Sequence, residues 1–188
     1  KDWCGSMKKN LCILISSMLL ITMIPLLFSG AAEGNTLEYN FEDNTEGWAV
    51  PAFIPAADLT VVQESGALKC TMNTGYRALV IQKALDADIG GADYDRILIR
   101  IKNPTAATAA DFSFAGRTTN PNIDSATNKI SFPISSFDTE YKDYIIDLSE
   151  HSQWSDTTDV YMLRLRPCGV TVTLNASTVS YTHLRAHE

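Results

Sequence analysis

Histidine is scarce in this chain, with three in 188 residues, and two of them, His183 and His187, fall within the last six. Only His151 stands elsewhere, beside Glu150 and Ser152 in a polar stretch. That scarcity removes histidine-rich zinc sites and leaves little for a Ser-His-Asp triad, and no G-x-S-x-G elbow is present. Neither a phosphate-binding glycine loop nor a dinucleotide fingerprint occurs. A retaining glycosidase needs two carboxyl groups about 5 Å apart, and no E-x-D-x-x-E string supplies them. Glu42 and Asp43 are adjacent and would point to opposite faces of a strand, while Asp86/Asp88 and Asp93/Asp95 flank Gly90-Gly91 in what reads as a surface loop. Basic residues are also outnumbered, 15 Lys+Arg against 22 Asp+Glu, for a net charge of −7. Phosphate backbones and anionic membranes call for a basic patch, so neither nucleic acid nor a membrane surface is expected as partner. Hydrophobic residues at 45% are enough for a packed core. The expectation is one non-catalytic domain.

Long apolar runs are equally few. Met7-Lys8-Lys9-Asn10 is a short positive start, Leu11 to Phe28 carries no charge, and Ser29-Gly30-Ala31-Ala32 supplies small residues, with Gly30 and Ala32 at the −3 and −1 positions. This is the pattern of a secretory signal peptide, cleaved after residue 32. A membrane span is the competing reading, at the lower limit of length, but no basic stop-transfer cluster follows and Pro25 lies late in the run. Cys12 sits near the start of the run, where it does not read as a lipid-attachment site, and residues 1–6 read as upstream translation. At the other end, residues 180–188 break the composition of what precedes them and read as a non-native tail, so His183 and His187 receive no functional weight. Cleavage leaves Cys70 and Cys168, which an exported domain can join in a disulfide or keep as thiols. The charge of the remaining residues is 12 basic against 21 acidic.

From Thr36 onward, no helical spacing of apolar residues is sustained. Short β-branched and aromatic runs alternate between turn residues instead. Leu37, Tyr39 and Phe41 share one side of a first strand; Leu59 to Val62, Ala67 to Met72 and Leu79 to Ile81 follow. Arg96 to Lys102 alternates most clearly, with Ile97, Ile99 and Ile101 on one face, until Asn103-Pro104 stops it. Phe112 and Phe114 share a face of the next strand, and further strands are expected at Lys129 to Ile134, Tyr144 to Leu148, Val160 to Arg166 and Val170 to Leu174. Thr105 to Ala110 reads as a flexible loop. About ten strands without intervening helices predict an antiparallel β-sandwich over residues 33–179, with a closed barrel as the alternative.

Three stretches carry a family resemblance. Phe41-Glu42-Asp43-Asn44-Thr45-Glu46-Gly47-Trp48 resembles the F-E-[DG]-x-x-x-G-W opening of jelly-roll carbohydrate-binding modules with the galactose-binding-like fold. Tyr94 to Asn103 is similar to their central strand, and Tyr144-Ile145-Ile146-Asp147-Leu148-Ser149, Trp154 and Tyr161 to Pro167 are similar to their close. The resemblance implies an all-β sandwich that grips a polysaccharide or oligosaccharide outside a bacterial cell, with an appended catalytic domain as a possible companion. It also implies that Trp48 and Trp154 are core. The family's closing strand carries an Asp that often helps to hold a structural calcium; Thr182 stands at that place here. The calcium candidates left are Glu42 and Asp43, whose bland alternative is capping of a turn.

Aromatic faces stack on sugar rings and planar polar groups orient hydroxyls. Tyr76 and Arg77 follow Asn73-Thr74-Gly75, which reads as a turn between strands; Arg117, Asn120 and Asn122 lie just past the Phe112–Phe114 strand. Arg164 shares a strand face with Val160, Met162 and Arg166, opposite Tyr161, Leu163 and Leu165. Tyr76, Arg77, Arg117, Asn120 and Arg164 are the carbohydrate-binding candidates, against the plainer reading that Tyr76 covers an edge and Arg117 is merely solvated. Two other functions compete: a surface module that binds protein, and a small jelly-roll hydrolase or lyase.

Overall fold

The computed structural model describes residues 35–72 and 79–167, together with the backbone of residues 178–187. All of these belong to one compact unit, Gly34–Glu188. Ten strands build it: β1 (Leu37–Tyr39), β2 (Leu59–Gln63), β3 (Leu68–Met72), β4 (Ile81–Ile89), β5 (Arg96–Lys102), β6 (Ala109–Gly116), β7 (Lys129–Pro133), β8 (Lys142–Asp147), β9 (Val160–Arg166) and β10 (Thr178–His187). The single α-helix among the described residues, α1 (Ser152–Ser155), is one turn long.

The strands form two sheets. One runs β2-β3-β10-β5-β8, with β1 added along β10, and the other runs β4-β9-β6-β7. Every pairing is antiparallel. The two-residue period of a strand puts alternate side chains on opposite faces, and burial follows that period. Ile97, Ile99 and Ile101 of β5 and Leu68, Cys70 and Met72 of β3 face inward from the larger sheet. From the smaller sheet, Ile81, Leu165 and Phe112 align across three strands, with Leu163 and Phe114 in the neighbouring row. The two apolar faces meet as one core. The fold is therefore the antiparallel sandwich that the alternation predicts.

Trp48 and Trp154 are both buried, as the resemblance implied. The Trp154 indole Nε1 donates to the Tyr94 carbonyl at 2.8 Å, and its ring stands edge-to-face on Phe112 and Phe114 at 6.0 and 5.1 Å. A short helix turn is enough to place it, because His151 caps that turn: its Nδ1 accepts from the Trp154 amide at 3.2 Å.

Several local expectations are corrected. β1 ends at Tyr39 because Phe41 takes a left-handed φ of 55°; its ring still enters the core, from a turn. β4 runs on to Ile89, so Asp86 and Asp88 lie on a strand end and not in a loop. Nor is the segment after β5 loose. Asn103, fully buried, donates to the carbonyls of Ala107 and Ser135 at 2.8 and 2.7 Å and accepts from the Thr105 amide and hydroxyl. One side chain thereby meets the backbone needs of a buried bend. The expected strand at 170–174 and Cys168 lie outside the described residues, and Cys70 is buried in β3 opposite Val61. The backbone of residues 180–187 continues β10 along β5, with β3 and then β1 on its other side.

Two outcomes follow from this packing. Gly91 lies so near α1 that an added Cβ would fall on the Trp154 carbonyl oxygen. Gly91→Ala is expected to cost on the order of 2–3 kcal/mol in denaturant unfolding, since backbone has to move. Burial holds the His151 imidazole below its ordinary value of 6.5. The unfolded chain thus takes up this proton first, so the His151 contribution to stability is present above about pH 6.5 and is lost as pH falls below it. A pH series of melting points for the wild type and His151→Asn is expected to converge on the acid side.

Candidate functional site

β9 decides what the smaller sheet shows to the outside. Opposite β6 the register slips: Met162 pairs with Ala115, but Val160 pairs with Gly116, leaving Tyr161 as an extra residue. Such a bulge breaks the two-residue alternation. Val160 is turned into the core beside Leu163, while Tyr161 stays half-exposed. The expected face of Val160, Met162, Arg164 and Arg166 is thus corrected at its first member: Val160 leaves the outer face.

Arg164 and Arg166 remain there, in the rows Gln82–Arg164–Ser113–Lys129 and Arg166–Asp111–Ser131. Arg164 is only 4% exposed, because two loops roof it. The first loop is tied to edge strand β4 by a reciprocal backbone pair, Ala49 with Gln82, each bond 2.9 Å. A turn from Pro51 to Ile54 then leaves Phe53 60% exposed, with the Arg164 guanidinium over its ring at 5.6 Å. The second loop follows β6 and brings in Asp124, whose Oδ1 accepts from Arg164 Nη1 at 2.5 Å and from Arg166 Nη2 at 3.1 Å. Arg164 Nη2 also donates to the Gln82 side chain at 3.0 Å. Burial pulls the Arg164 guanidinium below the ordinary arginine range, Asp124 opposes that, and Arg166 adds to it.

The asparagines expected to meet sugar build this second loop. The Asn120 amide donates to the Gln153 carbonyl and the Thr157 hydroxyl at 3.1 and 2.9 Å. The Asn122 side chain accepts from the Asp124 amide at 3.0 Å, and Asn128 donates to the carbonyls of Asn120 and Asn122. Arg117 lies farther along, stacked on Tyr161 at 4.8 Å and paired with Asp88 at 2.7 Å; the Asp88 hydrogen bond holds it above its ordinary value. Arg117 and Arg164 are thus both at the outer side of the smaller sheet, and Asn120 is a latch beneath them. Tyr76 and Arg77 lie outside the described residues. Sequence reasoning missed Phe53, although its setting between Pro51 and Pro55 marks an exposed turn.

A second concavity, about 650 Å³, opens between β1 and β4 and is lined by Tyr39, Glu46, Gly47, Lys83 and Asp86 among others. The Lys83 ammonium lies 3.4 Å from Asp86 and 5.8 Å from the Tyr39 ring centre, and Gly47, at φ 79°, has no Cβ to collide with it. Its one ring, Tyr39, is buried against Trp48, so this concavity has no exposed aromatic face. Burial, followed by Asp86 and Glu46, drives the Tyr39 hydroxyl far above its usual range.

Glu42 and Asp43, the calcium candidates, lie in a bend whose carbonyls are bonded to Gln63. A calcium ion takes six to eight oxygens, yet the carbonyls of Phe41 and Glu42 already accept from the Gln63 amide at 3.0 and 2.8 Å. Both acids are exposed, and no group of three metal-ligating side chains gathers among the described residues. The melting point is expected to be the same in chelator and in excess calcium; a rise with calcium would mean that a cation displaces the Gln63 amide.

No family model and no curated protein sequence matches this chain. Solved structures do resemble it. A low-affinity xylan-binding module of family 86 from the gut symbiont Roseburia intestinalis aligns at a TM-score of 0.52 and 11% identity, over 82% of this chain and 96% of that one. A family 28 carbohydrate-binding module specific for non-crystalline cellulose aligns at 0.54 and 15%, over 79% and 91%. An exo-beta-agarase aligns at 0.56 and 12%, over 82% of this chain and 25% of the agarase. At such identities the likeness is one of fold: this chain has the antiparallel β-sandwich of carbohydrate-binding modules.

Proposed function

We propose that this protein binds a polysaccharide or oligosaccharide without cleaving it, on the outer side of its four-stranded sheet. One observation carries the reading: Phe53, an exposed ring, is held over a buried arginine that is itself hydrogen-bonded to Gln82 and Asp124. An aromatic face offers apolar area to the C–H face of a sugar at little entropic cost. Carboxylate, amide and guanidinium groups beside it match hydroxyls, which both donate and accept. Tyr161 with Arg117 extends the same surface along β9 by roughly 10 Å from Arg164, at about 3.3 Å per residue.

The xylan- and cellulose-binding modules that share the fold support the substrate class. In this reading the leader at residues 1–32 directs the chain out of the cell, and the module keeps whatever it is joined to, a catalytic domain or a cell surface, close to its glycan. Tethering of this kind raises effective concentration without a new contact.

Affinity electrophoresis in gels containing xylan, soluble cellulose derivatives, agarose-type glycans or polygalacturonate tests the proposal. Retardation is expected on at least one, with Phe53→Ala weakening it about tenfold, or ~1.4 kcal/mol, at an unchanged melting point. Migration unaffected by every glycan would overturn it, and release of reducing sugar by the purified chain would revive the hydrolase alternative.

A further inference from the structure

Among the described residues, Phe41, Glu46, Ser65, Asn120 and Phe137 take a left-handed φ although none is glycine. That conformation crowds a side chain's Cβ, and a bulky residue there is an outlier. Phe41 offsets the strain by burying its ring in the core, and asparagine tolerates the conformation. Glu46 and Ser65 stand directly before Gly47 and Gly66 in turns closed by backbone hydrogen bonds. Phe137, at φ 54°, recovers nothing of the kind. It is 69% exposed, so a large apolar ring stands in water on a strained backbone.

The backbone around it is nonetheless firmly held. The Phe137 amide donates to the Thr105 carbonyl at 2.8 Å, and the next amide, of Asp138, donates to the Asn103 carbonyl at 2.7 Å. Two residues earlier, the Ser135 amide donates to the Tyr144 hydroxyl at 3.0 Å, and the Ser135 carbonyl accepts from the Asn103 side chain at 2.7 Å. Asp138 adds a second cost: its side chain is 2% exposed, Oδ1 pairs with Lys142 at 2.6 Å, and Oδ2 is buried without a donor. Strain and unmet polar atoms persist where surrounding bonds over-determine them, and they gather at sites of function. The turn is fastened to the link between β5 and β6, before Ala109, which is itself about 13 Å along β6 from Ser113 in the Arg164 row. Phe137 and Phe53 therefore mark separate places. Next to Phe137 in the chain, Ser136 is half-exposed and Thr139 and Glu140 are exposed, so hydroxyl and carboxylate groups accompany the ring.

We propose that Phe137 is a second contact for the same glycan: one sugar ring stacks on it at the end of the sandwich while another part of the polymer lies on Phe53. This rests on the carbohydrate-binding reading above and adds a subsite to it. The exposed ring offers apolar area to the C–H face of a sugar, and Ser136, Thr139 and Glu140 supply donors and acceptors for its hydroxyls. Because the turn is fixed in advance, little ordering opposes the contact. Two modest contacts on one polymer each raise the effective concentration of the other.

The decisive comparison runs the full chain, Phe137→Asn, Phe137→Trp and Phe53→Ala through the same xylan, cellulose-derivative, agarose-type and polygalacturonate gels. Asparagine accepts the left-handed conformation, so Phe137→Asn is expected to melt at or above the wild-type temperature. Its retardation is expected to weaken about fivefold, while Phe137→Trp, which keeps an aromatic face, holds it. Losses at separated sites multiply, so Phe137→Asn combined with Phe53→Ala is expected to weaken binding about fiftyfold. Undiminished retardation of Phe137→Asn beside a weakened Phe53→Ala overturns the second contact and leaves carbohydrate binding on the outer sheet standing. A lower melting point for Phe137→Asn also overturns it, since the ring would then be a packing residue. A loss in Phe137→Asn with none in Phe53→Ala overturns the placement on the outer sheet and leaves the Phe137 contact. Failure of the wild type on every glycan removes the parent reading and this one together.

Discussion

Arg164 is an ionised side chain on the wet side of a strand that has nonetheless lost almost all of its water. Burying a guanidinium is costly unless its donors find acceptors and its charge finds a partner. Much of the architecture on the outside of the smaller sheet answers that need. The Ala49–Gln82 backbone pair brings up the first loop, so that Phe53 covers the cation and Gln82 accepts from it. The loop after β6 brings up Asp124. Remove either loop and the cation loses its carboxylate partner or its aromatic cover.

How much of this the amino-acid sequence discloses depends on the range of the interactions. A strand with one dry face writes a two-residue period into its own residues, so β5, β6 and β9 are readable, and with them the core role of Phe112 and Phe114, whereas that of Trp48 and Trp154 comes from the family resemblance. Arg164 is readable for the same reason, as an outward partner of Met162. Tyr161 is not, because its orientation follows from a bulge against β6, a relation between two strands that neither records alone. Phe53 is hidden likewise: its place over Arg164 comes from a backbone bridge to β4 33 residues later, Ala49 to Gln82. Asn120 looks like a sugar ligand because an exposed loop asparagine and a latch asparagine are the same residue. Only the positions of Gln153 and Thr157 tell them apart.

β4 carries two polar environments back to back. Gln82 points outward to Arg164, and Lys83, one residue on, points inward to the concavity beside Tyr39 and Asp86. The outer environment pairs its cation with an exposed aromatic ring, while the inner one places its cation against a ring already buried by Trp48. Sugar recognition draws on apolar stacking and directed polar groups together. Only the outer side of β4 presents both to solvent, which is why binding is assigned there although the inner side is the more enclosed.

Rigidity is the other half of the argument. Binding loses affinity to every rotamer and loop that must be ordered on contact. Here the loop bearing Asp124 is fastened at its stem by the Asn120 amide, by the Thr118 amide and hydroxyl on Asp159, and by Asn128 across the turn. Asp159 is held below the usual carboxylate range by those Thr118 bonds, and so remains an acceptor throughout the range in which a glycan would be met. Phe53 is fixed between a Pro51 turn and a guanidinium. The exposed members of the surface are therefore set before any ligand arrives, by polar bonds within and beneath the loops that carry them.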